Sequence, residues 1–110
     1  MADWREELIA AALQARDAAY APYSHYQVGA ALRTADGRVF TGCNVENAAY
    51  SPSICAERVA VAKAVEAGAR DFVAVAVATQ SDPPATPCGV CRQVLREFAT
   101  DLEIFCVNPT

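Results

Sequence analysis

The chain has no excess of basic charge. Nine Lys and Arg stand against thirteen Asp and Glu, a formal net charge of −4. Nucleic-acid binders carry a basic stripe that releases counterions from phosphates. Its absence argues against a polynucleotide substrate or nucleic-acid partner. No apolar run approaches the roughly 18 residues that a membrane span needs, so no membrane association is expected. Met1 to Glu7 is polar and mixed in charge, unlike a secretory signal. No internal repeat and no low-complexity segment is present. The one histidine, His25, falls in a turn before a predicted strand, where a structural or exposed role fits better than metal ligation. The cysteines number five. An odd count is a poor fit to a secreted disulfide framework. Reduced thiols and a cytoplasmic location fit better, and there Cys-x-x-Cys reads as metal or redox chemistry.

What is present is compact and apolar. A chain of 110 residues is expected to form one domain, residues 1–110. A chain of this size buries only about 60–65% of the surface that its unfolded form exposes, so a metal or an oligomer would add stability. The composition is 54% hydrophobic, high for so small a domain, which points to buried subunit contacts.

The hydrophobic pattern predicts the order α-β-β-α-β-α-β. Apolar residues at Leu8, Ala11, Ala12, Ala15, Ala18 and Ala19 share one side of a helix over Asp3 to Tyr20. Asp3 and Glu6 form a box-like cap, and Pro22 closes the helix. Tyr26 to Thr34 and Arg38 to Cys43 read as strands joined at Asp36-Gly37, a hairpin signal because glycine readily takes positive φ. Asn44 to Ser53 reads as an ordered loop. Ser53 is the expected cap of a helix over Ile54 to Ala67, closed by Gly68. Phe72 to Thr79 is a valine-rich strand, and Gln80 to Thr86 a loop. Pro87 opens a helix that runs to Phe98, and Leu102 to Val107 is the last strand. Helices should flank a mixed sheet.

Cys55, Cys88 and Cys91 carry the chemistry. A catalytic zinc takes three ligands from protein and keeps a fourth position for water. Both cysteine stretches fall at predicted helix starts, where the free N–H groups and the positive dipole end lower a thiol pKa. Cys88 and Cys91, three apart, share a helix face. Glu57 stands two residues after Cys55. Three thiolates and Zn²⁺ sum to one negative charge, and Arg58 and Arg92, beside the two motifs, are expected to offset it by hydrogen-bonding sulfur. Taken alone, Cys88 and Cys91 point to a structural zinc or a redox pair more readily than to catalysis, though a thioredoxin-like role would need its Cys-x-x-Cys near the first βαβ unit, and here it is late. A fourth thiolate could come from Cys43 or Cys106, which read instead as buried small hydrophobes at strand ends.

Cys55-Ala56-Glu57-Arg58 followed by Pro87-Cys88-Gly89-Val90-Cys91-Arg92-Gln93 resembles the zinc nucleobase deaminases. With Tyr23-Ser24-His25-Tyr26, Val28-Gly29-Ala30-Ala31-Leu32 and Thr41-Gly42-Cys43-Asn44-Val45-Glu46-Asn47, it resembles the small homotetrameric cytidine deaminases, in the cytidine and deoxycytidylate deaminase family. The resemblance runs from about Tyr20 to Phe98. It implies a three-layer α/β/α fold with a mixed central sheet and helices on both faces. It implies a zinc ion in each subunit, held by Cys55, Cys88 and Cys91, with Glu57 as the proton shuttle. Asn44 and Glu46 would bind the ribose 3′-hydroxyl, and the Tyr26 ring, where the family usually has phenylalanine, would pack near the base. The Ala56 N–H would meet pyrimidine O2, and the Thr86 and Cys88 carbonyls would face the leaving amino group. Tyr23, Tyr50 and the Ser24-His25 turn would lie at a subunit boundary. The implied activity is hydrolytic deamination of cytidine and 2′-deoxycytidine in pyrimidine salvage, with a small-molecule nucleoside as substrate. Two alternatives are a deaminase of a modified cytosine nucleoside, of the blasticidin type, and a non-catalytic zinc-stabilised binding domain. A nucleotide substrate would need a basic cluster for its phosphate, and none is visible. Family members usually continue past Thr110 through another strand and a C-terminal helix, which this chain is expected to lack.

Overall fold

The computed structural model describes residues 3–49, 52–80, 89–99 and 101–108. Helix α1 (Trp4–Arg16) leads to strands β1 (Gly29–Thr34) and β2 (Val39–Cys43). Helix α2 (Ala56–Glu66), strand β3 (Phe72–Ala78), helix α3 (Gly89–Arg96) and strand β4 (Glu103–Val107) follow. The sheet order is β2-β1-β3-β4. β1 runs antiparallel to both β2 and β3, with Gly29 opposite Cys43 and Ala78, and β3 runs parallel to β4. The sheet is therefore mixed, as expected.

Strand alternation separates two cores. Ala74, Ala76 and Ala78 of β3 and Ala31 of β1 turn to Leu8 and Ala12 of α1. Val75 and Val77 of β3 and Leu32 of β1 turn the other way, to Ala60, Val61 and Ala64 of α2 and Leu95 of α3. One helix covers one face and two cover the other, which gives the three layers. On the α2/α3 side Phe72 and Phe98 meet with ring centroids 5.2 Å apart. At the start of α1, Arg5 forks onto Glu103 of β4 at 3.0 and 3.1 Å. Arg5 and Arg33 also lie over the Trp4 ring, at 4.3 and 4.7 Å from its centroid.

Glycine decides how closely two helices ride on the hairpin. A Cβ on Gly29 would stand 2.1 Å from the Ala12 carbonyl oxygen, and one on Gly42 would stand 2.4 Å from the Ala56 carbonyl oxygen and 2.7 Å from the Ala60 nitrogen. Both neighbours are backbone, so no side chain can turn aside. Gly42 thus seats the first turns of α2 against β2. Gly42→Ala is expected to destabilise by about 1–3 kcal/mol or more, the usual cost of overpacking. Each kcal/mol lowers the thermal midpoint of a domain this size by about 4–8 °C. An unchanged midpoint would show that α2 does not depend on this approach.

Several element boundaries differ from the sequence expectation, some of them where a tertiary hydrogen bond intervenes. α1 ends at Arg16, short of Tyr20. The next amides, Asp17, Ala18 and Ala19, bond back three residues, and the Tyr20 N–H leaves the helix for the Asn44 carbonyl at 3.0 Å. Asp3 is the N-cap but makes no side-chain cap bond, so the expected box is not formed. β1 begins at Gly29, not Tyr26, because Tyr26 and Val28 bond to the Asn44 side chain instead of a strand. The cap of α2 is Cys55, not Ser53; the Ser53 hydroxyl accepts the Asn47 N–H at 2.9 Å. The Asn44–Ser53 loop also carries strand-like bridges, Val45 pairing with both Tyr20 and Ile54. β3 stops at Ala78, α3 at Arg96, and β4 starts at Glu103. The Asp36-Gly37 turn is present, with Gly37 at φ 88°. Gly68, also at φ 88°, ends α2 as expected. Its N–H bonds to the Val65 carbonyl at 3.0 Å and that of Ala69 to Ala64 at 2.9 Å, a Schellman closure. The Pro87 helix start lies outside the described residues.

Candidate active site

Helix α2 begins beside the end of β2, and its first residues bring the chemistry together. Cys55, the N-cap, has extended backbone (φ −72°, ψ 152°), and its carbonyl accepts the N–H of Arg58 and Val59 at 3.1 and 3.2 Å. Ala56, fully buried, follows as a first-turn residue whose N–H lies outside the helix's own ladder. Glu57, a carboxylate only 5% exposed, is next. Burial pushes its carboxyl above the ordinary value, opposed by its own backbone N–H, by the Cys91 thiol and by the Arg58 charge. Cys91, wholly buried on α3, is thus in contact with Glu57. α2 and α3 pack together on this face, so a thiol from each helix shares one spot with a buried carboxylate.

Arg58 faces both thiols. Its Nη2 donates to Cys55 Sγ at 3.6 Å and to the Ser53 carbonyl at 3.3 Å. The hydrogen bond to Cys55 and the charges of Cys55 and Cys91 raise its pKa further. Its Nε is buried with no partner among the described residues. A buried donor left unpaired is costly, so Nε calls for one more acceptor than the described residues supply. Cys43, Cys55, Cys91 and Cys106 are all thiols outside any disulfide. Among the described residues no group of three His, Cys, Asp or Glu side chains is arranged to hold a metal. Cys88, the expected third ligand, lies outside them, as do Thr86 and Tyr50. The donor set that is described, the Cys55 thiol at a helix N-terminus and the buried Cys91 thiol with a half-buried guanidinium beside them, fits a thiophilic cation such as zinc.

A second cluster adjoins the first. Val45 and Ile54 exchange hydrogen bonds at 2.8 and 2.9 Å, which sets Asn44 and Glu46 on the segment beside Cys55. Asn44 Oδ1 accepts the Val28 N–H at 2.9 Å, and its Nδ2 donates to the Tyr26 carbonyl at 2.8 Å. Glu46 accepts from Tyr23 and Ser24. The Ser24 hydroxyl, then the Ser24 and Tyr23 amides, hold its carboxyl below the ordinary value against an opposing burial effect. A depressed carboxyl stabilises the fold above its unfolded pKa and loses that contribution as pH falls through the folded one. The structure therefore gathers Cys55, Ala56, Glu57 and Cys91 in one cluster, and Tyr26, Asn44 and Glu46 in the next.

Two residues go beyond the sequence expectation. Cys106 on β4 pairs with Val77, so it shares the α2/α3 face. Burial and the Glu57 charge raise its thiol pKa, with Arg92 opposing. Cys106 and Cys43 are only half-buried, not the fully buried small hydrophobes expected, because both lie on edge strands of the described sheet; strand pairing, not sequence, puts Cys106 near Glu57. Ser24 is the other; its Tyr-Ser-His-Tyr context marked the stretch but not the hydroxyl.

Comparison with known proteins follows this geometry. The fold, with two thiols and a buried carboxylate at its helix starts, is of the zinc-binding deaminase class: residues 2–107 match the model of the cytidine and deoxycytidylate deaminase zinc-binding region. The chain belongs to that family. It is 54% identical over 93 residues to a cytidine deaminase of Sporosarcina psychrophila, covering 84% of this chain and 68% of that one. It is 50% identical over 105 residues to a cytidine deaminase of Halalkalibacterium halodurans, covering 94% and 80%. The crystal structure of cytidine deaminase from Burkholderia pseudomallei superposes with a TM-score of 0.91 at 51% identity, covering 96% of this chain and 85% of that one. A blasticidin-S deaminase of Bacillus cereus is more distant, 29% identical over 103 residues.

Proposed function

We propose that the protein hydrolyses cytidine and 2′-deoxycytidine to uridine and 2′-deoxyuridine, releasing ammonia. The observation that supports this most is the buried Glu57 carboxylate against the Cys91 thiol, at the start of the helix that Cys55 caps. A purely structural zinc has no use for a carboxylate there. The relatives at 50–54% identity are cytidine deaminases, which favours cytidine over a blasticidin-type substrate.

Cys55, Cys88 and Cys91 would hold zinc. When bound, zinc supplies the Lewis acidity that makes water a nucleophile near neutral pH. Glu57 takes a proton from the attacking water and gives it to N3 of cytosine. Once the water oxygen has bonded to C4, Glu57 takes its remaining proton and passes it to the amino group; the C4–N bond then breaks, releasing ammonia as the C4 carbonyl forms. Burial holds the Glu57 carboxyl above the ordinary value, the direction that favours a group which takes up a proton and passes it on. Arg58 offsets thiolate charge through Cys55. The Ala56 N–H orients pyrimidine O2, the Tyr26 ring lies along the base, and Asn44 and Glu46 grip the ribose 3′-hydroxyl, as an amide and a carboxylate can.

The finer assignments belong to the same reading. Residues 1–110 form a single deaminase-like domain. Tyr20, Tyr23, Val45 and Ile54 are apolar and 40–59% exposed, and Val45 bridges Tyr20 to Ile54. Such a patch supports a homotetramer. Among the described residues no helix is long and apolar enough to cross a membrane. Reduced thiols and a nucleoside substrate fit a cytoplasmic enzyme of pyrimidine salvage. The test is ammonia release from cytidine and 2′-deoxycytidine, measured with zinc content. Turnover by chain carrying equimolar zinc is expected; zinc-loaded chain that releases no ammonia would overturn the reading.

A further inference from the structure

The segment 21–28 is shaped by Ser24, a side chain that the proposed chemistry does not use, together with Glu46 and Asn44. Glu46 Oε1 accepts the N–H groups of Tyr23 and Ser24 at 3.0 and 3.1 Å. Its Oε2 accepts the Ser24 hydroxyl. The same hydroxyl oxygen accepts the Tyr26 N–H at 3.0 Å. The Tyr26 carbonyl is held from the other side by Asn44 Nδ2. Both backbone polar groups of Tyr26 are thus fixed, one by Ser24 and one by Asn44.

Two further observations bear on Ser24. An ionised carboxylate has about four lone-pair sites; Tyr23 and Ser24 fill three on Glu46, and among the described residues the fourth is open to an incoming hydroxyl. His25, directly after Ser24, sits at φ 58°. Its N–H closes the turn onto the Ala21 carbonyl at 3.0 Å, and its carbonyl accepts Gln80 Nε2 at 3.5 Å. A left-handed residue other than glycine persists only where its surroundings over-determine it. Here the bonds of Ser24 and Glu46 do so.

We propose that Ser24 is a positioning residue for nucleoside binding: its hydroxyl locks the Glu46 carboxylate and the Tyr26 backbone in one arrangement, so that sugar and base are gripped as a unit. The inference rests on reading Glu46 and Asn44 as ribose contacts. Ser24 acts through Glu46, by presenting to the 3′-hydroxyl the acceptor site that no described residue fills. Without the hydroxyl, Glu46 keeps two backbone donors but can swing about them, and the Tyr26 N–H loses its partner.

The experiment compares wild type, Ser24→Ala and Ser24→Thr. Equilibrium binding of uridine and 3′-deoxyuridine is measured beside KM and kcat for cytidine. Hydrogen bonds to charged groups are worth more than a factor of ten. Ser24→Ala is therefore expected to weaken uridine binding and raise the cytidine KM by about tenfold or more, with kcat little changed. Its preference for uridine over 3′-deoxyuridine should shrink, and Ser24→Thr, which keeps the hydroxyl, should restore it. Ser24 is exposed but its hydroxyl bonds Glu46 and Tyr26, so Ser24→Ala is expected to lower the thermal midpoint by a few degrees; binding is measured well below that midpoint, where all three proteins are folded. A Ser24→Ala variant that discriminates the two nucleosides as well as wild type, or that loses kcat equally with threonine in place, would overturn the proposal. A wild type that does not discriminate them would instead overturn the ribose reading of Glu46, and the Ser24 proposal with it.

Discussion

Glu57→Ala is expected to keep its zinc and to lose at least about 10²–10⁴-fold in turnover, the usual contribution of a positioned acid–base group. That corresponds to roughly 3–5 kcal/mol of barrier. Glu57 is 5% exposed and in contact with Cys91. It stands two residues past the N-cap of α2, within the first turn that Gly42 seats against β2. No other carboxylate is buried among the described residues, so no neighbour can take over its proton. Removing it does not remove a thiol, and the Cys55 and Cys91 positions should survive. Zinc content by metal analysis, with single-turnover kinetics, checks both halves. Loss of zinc would make Glu57 a ligand; retention of turnover would put the proton shuttle elsewhere.

Cys91→Ala is expected to lose zinc and much of its stability, and Cys88→Ala to do the same. Metal that binds only the folded chain stabilises it by mass action, about 2.7 kcal/mol at a hundredfold excess over Kd. For a domain of about this size that is roughly 10–20 °C in thermal midpoint. Cys91 is completely buried, so truncation leaves a small cavity as well, but one sulfur's worth of cavity costs far less. Chelation separates the two effects. Wild type treated with a chelator should fall close to the variant, and the variant should not respond. A metal-replete, stable Cys91→Ala would remove it from the ligand set, and then a redox or packing role for the Cys88–Cys91 pair would return.

The extent to which these sites were readable differs residue by residue. The spacing Cys55-x-Glu57 and Cys88-x-x-Cys91 is local chemistry, and its resemblance to the deaminases is carried by identity at those positions. The helices and strands were readable because apolar periodicity follows from burial on one face: the alternation of Val75 and Val77 against Ala74, Ala76 and Ala78 records two helical layers. Ser53 was misplaced as a cap because serine at a helix start is favoured by propensity, yet here Asn47 claims its hydroxyl. Tyr26 to Val28 looked like strand by composition, yet its hydrogen bonds go to Asn44 and Ser24 side chains from another segment. Local preference carries no information about a partner many residues away.

By itself, then, the amino-acid order determined the kinds of element, their sequence along the chain, the thiols and carboxylate available, and the exclusion of a basic surface. Those depend on side-chain identity and on periods of two and 3.6. Only the tertiary structure decided that β1 lies between β2 and β3, and that Glu57 of α2 meets Cys91 of α3. It alone set Cys106 on their face, and Ser24 and Glu46 into one bonded unit. These outcomes follow from long-range packing: Gly42 and Gly29 let backbone approach backbone, and sheet pairing then fixes which side chains share a face.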